Sequence, residues 1–411
     1  MIIASDTPPA CPHFGSCGGC SYPRDAYELS LKEKQDALLS LFSPLISSSS
    51  FQGIVRSQPL QAFRNKMEFS FFQTVDGNKS LGLMSNKKPR YAVPINSCFI
   101  AGKTFIDCLE LVRSWWHKHP NISAYFAPKN KGSLISLTIR KSNVSEDILI
   151  MLTSSGRPEY KVAPNQQDSF VEHLLESSLP ITSIVWEEKL VQKGFPTSFS
   201  QKILYGEGFL WQKLPAANKT RDLLFKVYAK SFFQPNPKQA AHISQIIYDF
   251  LQPSGQELVL DLFCGAGTLG ICLADSVCAV QGIEIVPDAV TSAKENILIN
   301  QLEKKVSVAQ GDAKTFCRSL ASSQEVSLFS TVQKPDVVIV DPPRCGMQTK
   351  TLKYLLRISP PCIIYVSCNP KTQYEECETL SKEGYELVAM KAVDQFPFTT
   401  HVENIVLMRK K

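Results

Sequence analysis

ELVLDLFCGAGTLG, residues 257–270, runs an apolar stretch into an acid and three closely spaced glycines. Leu258 to Leu262 reads as a buried strand that carries Asp261 to its carboxyl end. Gly265, Gly267 and Gly270 then let the chain turn sharply and lie against a ligand before a helix begins near Thr268. The pattern is that of a nucleotide crevice in an α/β domain. Taken by itself, Gly-x-Gly-x-x-Gly also fits a dinucleotide enzyme or an ordinary tight turn, so the neighbouring segments must decide.

Upstream, SFFQPNPKQA (231–240) leads into a helical run over 238–251. Gln234 is placed to bond a ligand while Phe232 and Phe233 pack, although a plain capping turn accounts for the same residues. Downstream of the glycine turn and its helix (269–276), the strand VQGIEI ends with Glu284. An acid there accepts the ribose hydroxyls of an adenosine, in dinucleotide enzymes and methyltransferases alike. A helix over 288–300, carrying Asn296 and Asn300, precedes the strand VSVAQ. That strand leads to Gly311 and Asp312, where an acid or a backbone amide can recognise adenine. DVVIVDPPRCG next places Asp341 at a strand end, stiffened by Pro342 and Pro343. Four strand ends converge on one crevice, and no nicotinamide half follows. S-adenosylmethionine is therefore the expected ligand.

PCIIYVSCNP (361–370) is another apolar strand aimed at the crevice, and it ends in a polar turn containing Cys368. Cys264, Cys272, Cys278, Cys345 and Cys362 read as inert structural thiols by contrast. VDQFPFTTHVENIVLM (393–408) sets His401 and Glu403 just before a final strand. A cysteine, a carboxylate and a methyl donor together suit methylation of uracil at carbon 5. Thiolate addition to carbon 6 makes carbon 5 nucleophilic, and a base must later remove the carbon 5 proton. Cys368 fits the nucleophile and Glu403 the base, with His401 as the second choice.

Near the start, CPHFGSCGGC supplies Cys11, Cys17 and Cys20, with Cys98 the next cysteine in the chain. Spacings of five and two residues suit a metal cluster better than a zinc site, which normally has a second short-spaced pair. Zinc and unmetallated thiols remain the alternatives, and His13 reads as a loop residue. Residues 1–10 read as flexible, 24–42 as an amphipathic helix and the serines at 47–50 as a loop. Strands are expected at 66–72, 90–94, 134–140, 148–153 and 181–185, interrupted by a helix over 105–117. Arg64, Lys66, Lys87, Lys88, Arg90, Lys129, Lys131 and Arg140 form either a solvated face or a stripe for phosphates.

A length of 411 residues calls for two or three domains. The net charge of +6, from 44 basic and 38 acidic residues, permits a polyanionic partner without requiring one. Neither a signal peptide before Cys11 nor an apolar run of about 20 residues is present, and the cysteines do not form a secreted-type scaffold. A cytoplasmic protein without membrane association is expected.

The conjunction of SFFQ-x-N, DLFCGAGTLG, DPPR-x-G, SCNP and HVE closely resembles the uracil-5-methyltransferases of tRNA and 23S rRNA, over almost the whole chain. The resemblance implies an α/β fold: a Rossmann-like class I S-adenosylmethionine-dependent methyltransferase domain over 221–411. An inserted or preceding α+β RNA-binding domain would occupy 51–220, and an iron–sulfur segment with its linking helix 1–50. It implies Cys368 as covalent nucleophile and Glu403 as base. Gln234, Phe263, Gly265, Thr268, Glu284, Asp312 and Asp341 would hold the methyl donor. The rRNA branch carries a 4Fe-4S cluster on cysteines matching Cys11, Cys17, Cys20 and Cys98, which implies 23S rRNA as partner. One rRNA branch starts with a small β-barrel, and only ten residues precede Cys11 here. The domain content therefore resembles the barrel-free branch, while the cysteine spacing resembles the other. The same chemistry on tRNA is the alternative. An amino methyltransferase would need an aromatic where Arg344 stands, and an inactive iron–sulfur RNA-binding protein would have lost the nucleophile or the donor site. Nothing calls for an obligate protein partner, and a monomer is expected.

Overall fold

The computed structural model describes residues 11–47, 49–88, 90–322 and 334–411. The lead-in over 1–10, expected to be flexible, and Ser48 of the serine run lie outside the described residues. Two compact units alternate along the chain. One comprises Met1–Tyr27, Pro59–Trp211 and Tyr228–Lys230, and the other Glu28–Gln58, Gln212–Val227 and Ser231–Lys411.

The first elements are α1 (Tyr27–Phe42) and β1 (Phe51–Val55). The unit built mainly from Pro59–Trp211 then contributes β2 (Lys66–Gln73), β3 (Lys79–Met84), β4 (Ala92–Val93), α2 (Lys103–His117), β5 (Leu134–Lys141), β6 (Ile148–Ser155), α3 (Pro164–Leu175), β7 (Ile181–Leu190) and β8 (Ser198–Gly206). Its seven strands lie in the order β4-β3-β2-β5-β6-β7-β8. Only β6 and β7 run parallel, as a helical crossover through α3 requires. Trp115 and Trp116 of α2, Phe170 of α3 and Trp186 of β7 fill the core, with the Phe170 ring edge-on to Trp115 (4.9 Å) and to Trp186 (5.7 Å).

Three elements here escaped the sequence reading: β3, β8 and α3. β3 is short and contains Gly82, where an added Cβ would sit 1.8 Å from the Val93 carbonyl oxygen. β8 is exposed on both faces, so it lacks the alternation that marks a half-buried strand. Arg140 also departs from expectation. It is 2 % exposed and donates through Nε to the Ala229 carbonyl (3.0 Å), so it belongs to no solvated stripe.

After β9 (Phe209–Pro215) and β10 (Asp222–Tyr228), the second unit runs α4 (Pro237–Leu251), β11 (Leu258–Leu262), α5 (Thr268–Leu273), β12 (Ala279–Glu284), α6 (Pro287–Ile299), β13 (Val306–Gln310), α7 (Ala313–Ala321), β14 (Val337–Val340), α8 (Thr349–Ile358), β15 (Cys362–Ser367), α9 (Pro370–Lys382), β16 (Tyr385–Val393) and β17 (Glu403–Lys410). Its sheet has the order β1-β16-β17-β15-β14-β11-β12-β13. β13, β12, β11, β14 and β15 are parallel, and β17 is antiparallel to both of its neighbours. The strand order reverses between β11 and β14, which opens a crevice at their carboxyl ends.

The strands of this sheet alternate between its two faces with period two. Val337, Ile339, Cys362 and Ile364 pack with α4, α5 and α6, whereas Val338, Val340, Ile363 and Tyr365 pack with α1, α7, α8 and α9. Phe51–Val55, expected in the central domain, instead pairs as β1 with β16. Residues 28–42, expected to link the cysteines to the body, cover this sheet through Leu38 and Phe42. Among the described residues, no helix is long and apolar enough to cross a membrane.

Candidate active site

β11 ends at the acid the sequence singled out. Asp261 is 1 % exposed, and its Oδ2 accepts the Gly270 amide (3.1 Å), which ties the start of α5 back to the strand. Gly270 leaves room for that bond only because it lacks a side chain: a Cβ would meet Asp261 Oδ2 at 3.0 Å and Val280 Cγ1 at 2.9 Å. Phe263 and Gly265 both adopt positive φ (64° and 56°), so the loop turns through a conformation that costs Phe263 strain. Glu284, at the end of β12, accepts the Gly265 amide on Oε2 (3.0 Å) and the Val286 amide on Oε1 (2.8 Å). Asp312 caps α7 through the amide (3.2 Å) and hydroxyl (2.8 Å) of Thr315.

These strand ends open into a cavity of about 640 Å³ within the second unit, a size suited to a nucleoside-containing ligand. Gln234, Phe263, Gly265, Thr268, Glu284, Asp312, Asp341, Cys368 and Glu403 all line it. The nine residues come from seven separate segments of sequence.

Sheet register brings the two chemical groups together. β15 and β17 are antiparallel with Ser367 opposite Asn404, so the turn after β15 lies beside the first residue of β17. Cys368 occupies that turn and Glu403 that first residue. Beneath them, Gln373 donates to the carbonyls of Tyr365 (2.8 Å) and Asn404 (3.1 Å), and Asn404 Nδ2 returns a bond to Gln373 Oε1 (2.8 Å). Both amides are fully buried. Asn369 Nδ2 reaches the Arg344 carbonyl (2.9 Å), which stitches the DPPRCG loop to the cysteine turn.

The electrostatics are those of crowded acids. Burial, and then Asp341 and Glu284, push Asp261 up to about 7 against the Gly270 hydrogen bond. Asp341 is also raised, by burial. Burial, then Asp341, holds Glu403 well above the ordinary carboxylate range, with Arg344 opposing. The Cys368 thiol is raised by burial and then by Glu403, while a hydrogen bond from Arg344 and its charge work the other way. Asp261 Oδ1 is buried with no hydrogen-bond partner. A cationic ligand would relieve all of this, and S-adenosylmethionine carries both a sulfonium and an ammonium.

Two residues of this constellation were not singled out beforehand. Arg344 is signalled only by its place after DPP. Gln395 carries no local signal; it is fully buried, and its Nε2 donates to Gln234 Oε1 (3.0 Å) and to the Asn236 carbonyl (3.4 Å). Phe233 packs on Phe225 as expected, whereas Phe232 is 69 % exposed at the cavity. His401 is exposed, with its ring edge-on to Phe396 (6.2 Å), and it does not line the cavity.

Cys11, Cys17, Cys20 and Cys98 lie in the other unit as partly buried free thiols. They are near enough to act on one another: Cys20 is pushed up to about 12 by burial and then by Cys98, Cys17 and Cys11. Among the described residues, no group of three or more His, Cys, Asp or Glu is arranged to hold a metal ion. His13 is engaged by Asn96, whose Oδ1 lies 2.7 Å from Nε2, in keeping with a loop role. Arg64 acts electrostatically on Cys98 and Cys20, and its buried Nε has no hydrogen-bond partner.

Residues 188–411 match the family described as tRNA (Uracil-5-)-methyltransferase. An uncharacterized RNA methyltransferase of Chlamydia muridarum is 50% identical over 400 residues, covering 97% of this chain and 98% of its own. One from Caldanaerobacter subterraneus is 34% identical over 409 residues, covering 97% and 84%. Among solved structures, the tRNA (uracil-54, C5)-methyltransferase of Pyrococcus abyssi in complex with S-adenosyl-L-homocysteine has a TM-score of 0.69 at 25% identity, over 93% of this chain and 83% of that one.

Proposed function

The chain belongs to the tRNA (uracil-5-)-methyltransferase family, whose members methylate RNA, and we propose that it converts one uridine of 23S rRNA to 5-methyluridine by way of a covalent Cys368 adduct. The observation that carries this reading is the single cavity shared by the glycine turn, the acids at the strand ends, Cys368 and Glu403.

S-adenosylmethionine, when bound, supplies the methyl group to carbon 5. Gln234, Phe263, Gly265, Thr268, Glu284, Asp312 and Asp341 would hold it, and Asp261, whose buried Oδ1 has no hydrogen-bond partner, lines the same cavity. Cys368 gives up its thiol proton to solvent and, as the thiolate, adds to carbon 6 of the uracil, and the electron pair of the carbon 5–carbon 6 bond moves onto carbon 5 and the carbonyl. The Arg344 guanidinium beside the sulfur favours the thiolate. Once carbon 5 bears the methyl group, Glu403 takes the remaining proton from it. The pair left behind re-forms the carbon 5–carbon 6 double bond and expels Cys368 as thiolate.

Support for 23S rRNA comes from the resemblance of Cys11, Cys17, Cys20 and Cys98 to 4Fe-4S ligands, although in this structure these thiols are not arranged to hold a metal ion. The unpartnered Arg64 Nε beside Cys20 and Cys98 suits the negative charge of such a group. The cluster enters none of the steps above. The same chemistry on tRNA is the second reading, favoured by the tRNA substrate of the Pyrococcus abyssi enzyme. Mapping 5-methyluridine in 23S rRNA and tRNA, with and without the protein, decides between them. A new position in 23S rRNA supports the first reading and one confined to tRNA the second. A new position in neither overturns both.

A further inference from the structure

Gln395 lies just beyond β16, fully buried, in a segment that is pinned on both sides. The Asp394 amide donates to the Val55 carbonyl (3.0 Å), and Lys34 Nζ reaches Asp394 Oδ1 (2.6 Å) and the Phe396 carbonyl (3.2 Å). A backbone held in this way cannot shift to relieve a badly suited side chain. Gln395 nevertheless keeps Oε1 buried without a hydrogen-bond partner. A buried acceptor left unmade is destabilising, and an apolar side chain of the same size would avoid that loss. Stability therefore does not account for a glutamine at this position. The bonds that its other end makes must do so.

Those bonds carry a direction. The Asn236 carbonyl takes the first helical bond of α4, from the Ala240 amide (3.0 Å), and a carbonyl can only accept. Gln395 must therefore turn its NH2 toward it (3.4 Å), and the same Nε2 then donates to Gln234 Oε1 (3.0 Å). Gln234 is half-buried and lines the cavity. With its oxygen directed at Gln395, the end it offers a ligand is the NH2. Asp261, Glu284, Asp312 and Asp341 line the same cavity, and their carboxylates suit the cationic groups of S-adenosylmethionine. They would repel its carboxylate, which calls for a donor such as an amide NH2. We propose that Gln395 is a positioning residue: it fixes the Gln234 amide with the NH2 toward the cavity, where that group donates to the carboxylate of the methyl donor. The proposal rests on S-adenosylmethionine being the ligand of the cavity but not on which RNA is methylated.

Calorimetry on the full-length protein tests this with two ligands, S-adenosylmethionine and its decarboxylated analogue. Gln395→Met removes the bond to Gln234 while keeping the volume, with Gln395→Leu as a second variant if the methionine packs badly. Gln234 is then free to sample several rotamers in place of one, and affinity for S-adenosylmethionine should fall about three- to ten-fold. Gln234→Ala deletes the donated bond itself and should weaken binding about ten-fold or more. Adding Gln395→Met to Gln234→Ala should change affinity by less than about two-fold, because the one residue acts through the other. The decarboxylated analogue should bind every variant within about two-fold of its affinity for the wild type. In turnover, Gln395→Met should raise KM for S-adenosylmethionine and leave kcat at saturation unchanged. A purely structural Gln395 predicts instead a lower thermal midpoint with unchanged affinity. Wild-type affinity in folded Gln395→Met, additive losses in the double variant, or equal losses for the two ligands overturn the proposal. Formation of 5-methyluridine, measured on the same samples, separates the two readings. A wild type that binds S-adenosylmethionine but methylates no uridine overturns the uracil reading alone, and one that does not bind it overturns both.

Discussion

Cys368 is made harder to ionise by burial and then by Glu403, and Glu403 by burial and then by Asp341, with Arg344 opposing both. Roles in the reaction can therefore be separated by trapping. Cys368→Ala should form no covalent adduct with 5-fluorouridine RNA, while Glu403→Gln should form the adduct on ordinary RNA and fail to release it. Denaturing gels report both results, and a Glu403→Gln enzyme that turns over freely would remove Glu403 from the base role. The acids also predict how the donor binds. A cation is held best by ionised carboxylates, and Asp261 is pushed from 3.8 up to about 7. Affinity for S-adenosylmethionine should rise with pH through that interval, where binding releases protons, and level off above it. Calorimetry in buffers of different ionisation enthalpy measures the release, and Asp261→Asn should reduce it. A pH-independent affinity would contradict the crowded-acid account.

Among the elements, β17 matters most to the chemistry, because its antiparallel pairing with β15 sets Glu403 beside Cys368. The Gln373 and Asn404 amides hold that pairing from below. Gln373→Leu leaves two buried carbonyls and the Asn404 amide short of partners, which should cost about 2–4 kcal/mol in urea unfolding and slow adduct formation. α1 is held by a different device. Lys34 Nζ reaches Asp394 Oδ1 at 2.6 Å, with both side chains almost wholly enclosed. Lys34→Met strands a buried carboxylate and should cost about 3–5 kcal/mol, read from the shift of the unfolding midpoint. Adding Asp394→Asn should return part of that loss. These elements also mark the limit of local reading. The parallel strands β11 to β15 are legible as apolar runs ending in turns, and of the helices between them α5 and α6 were expected while α7 and α8 were not. β8 and β3 were not legible, since an exposed strand and a glycine-bearing short strand show no half-buried alternation.

At the scale of the whole molecule, the cofactor cavity lies in one unit and the four cysteines in the other. The two functions should separate accordingly. Anaerobically purified protein should hold about four iron atoms per chain, and Cys98→Ser should lower that content while leaving S-adenosylmethionine affinity within about two-fold. Iron analysis and calorimetry check the pair of outcomes, and stoichiometric zinc in place of iron would remove the cluster reading. The sequence by itself determined the chemistry offered at the crevice. Asp261, Glu284, Asp341 and Cys368 each stand where an apolar run gives way to a turn, and such runs are local patterns that place a residue at a strand end. Tertiary structure alone decided which ends meet. It set Glu403 against Cys368 through the β15–β17 register and brought Cys98 to a knuckle about eighty residues earlier. It also drew β1 and α1 into the methyltransferase sheet and buried Arg140. Those outcomes depend on packing between residues far apart in the chain, whose loop-closure cost is offset only when the partner surfaces are complementary, and no local pattern encodes that.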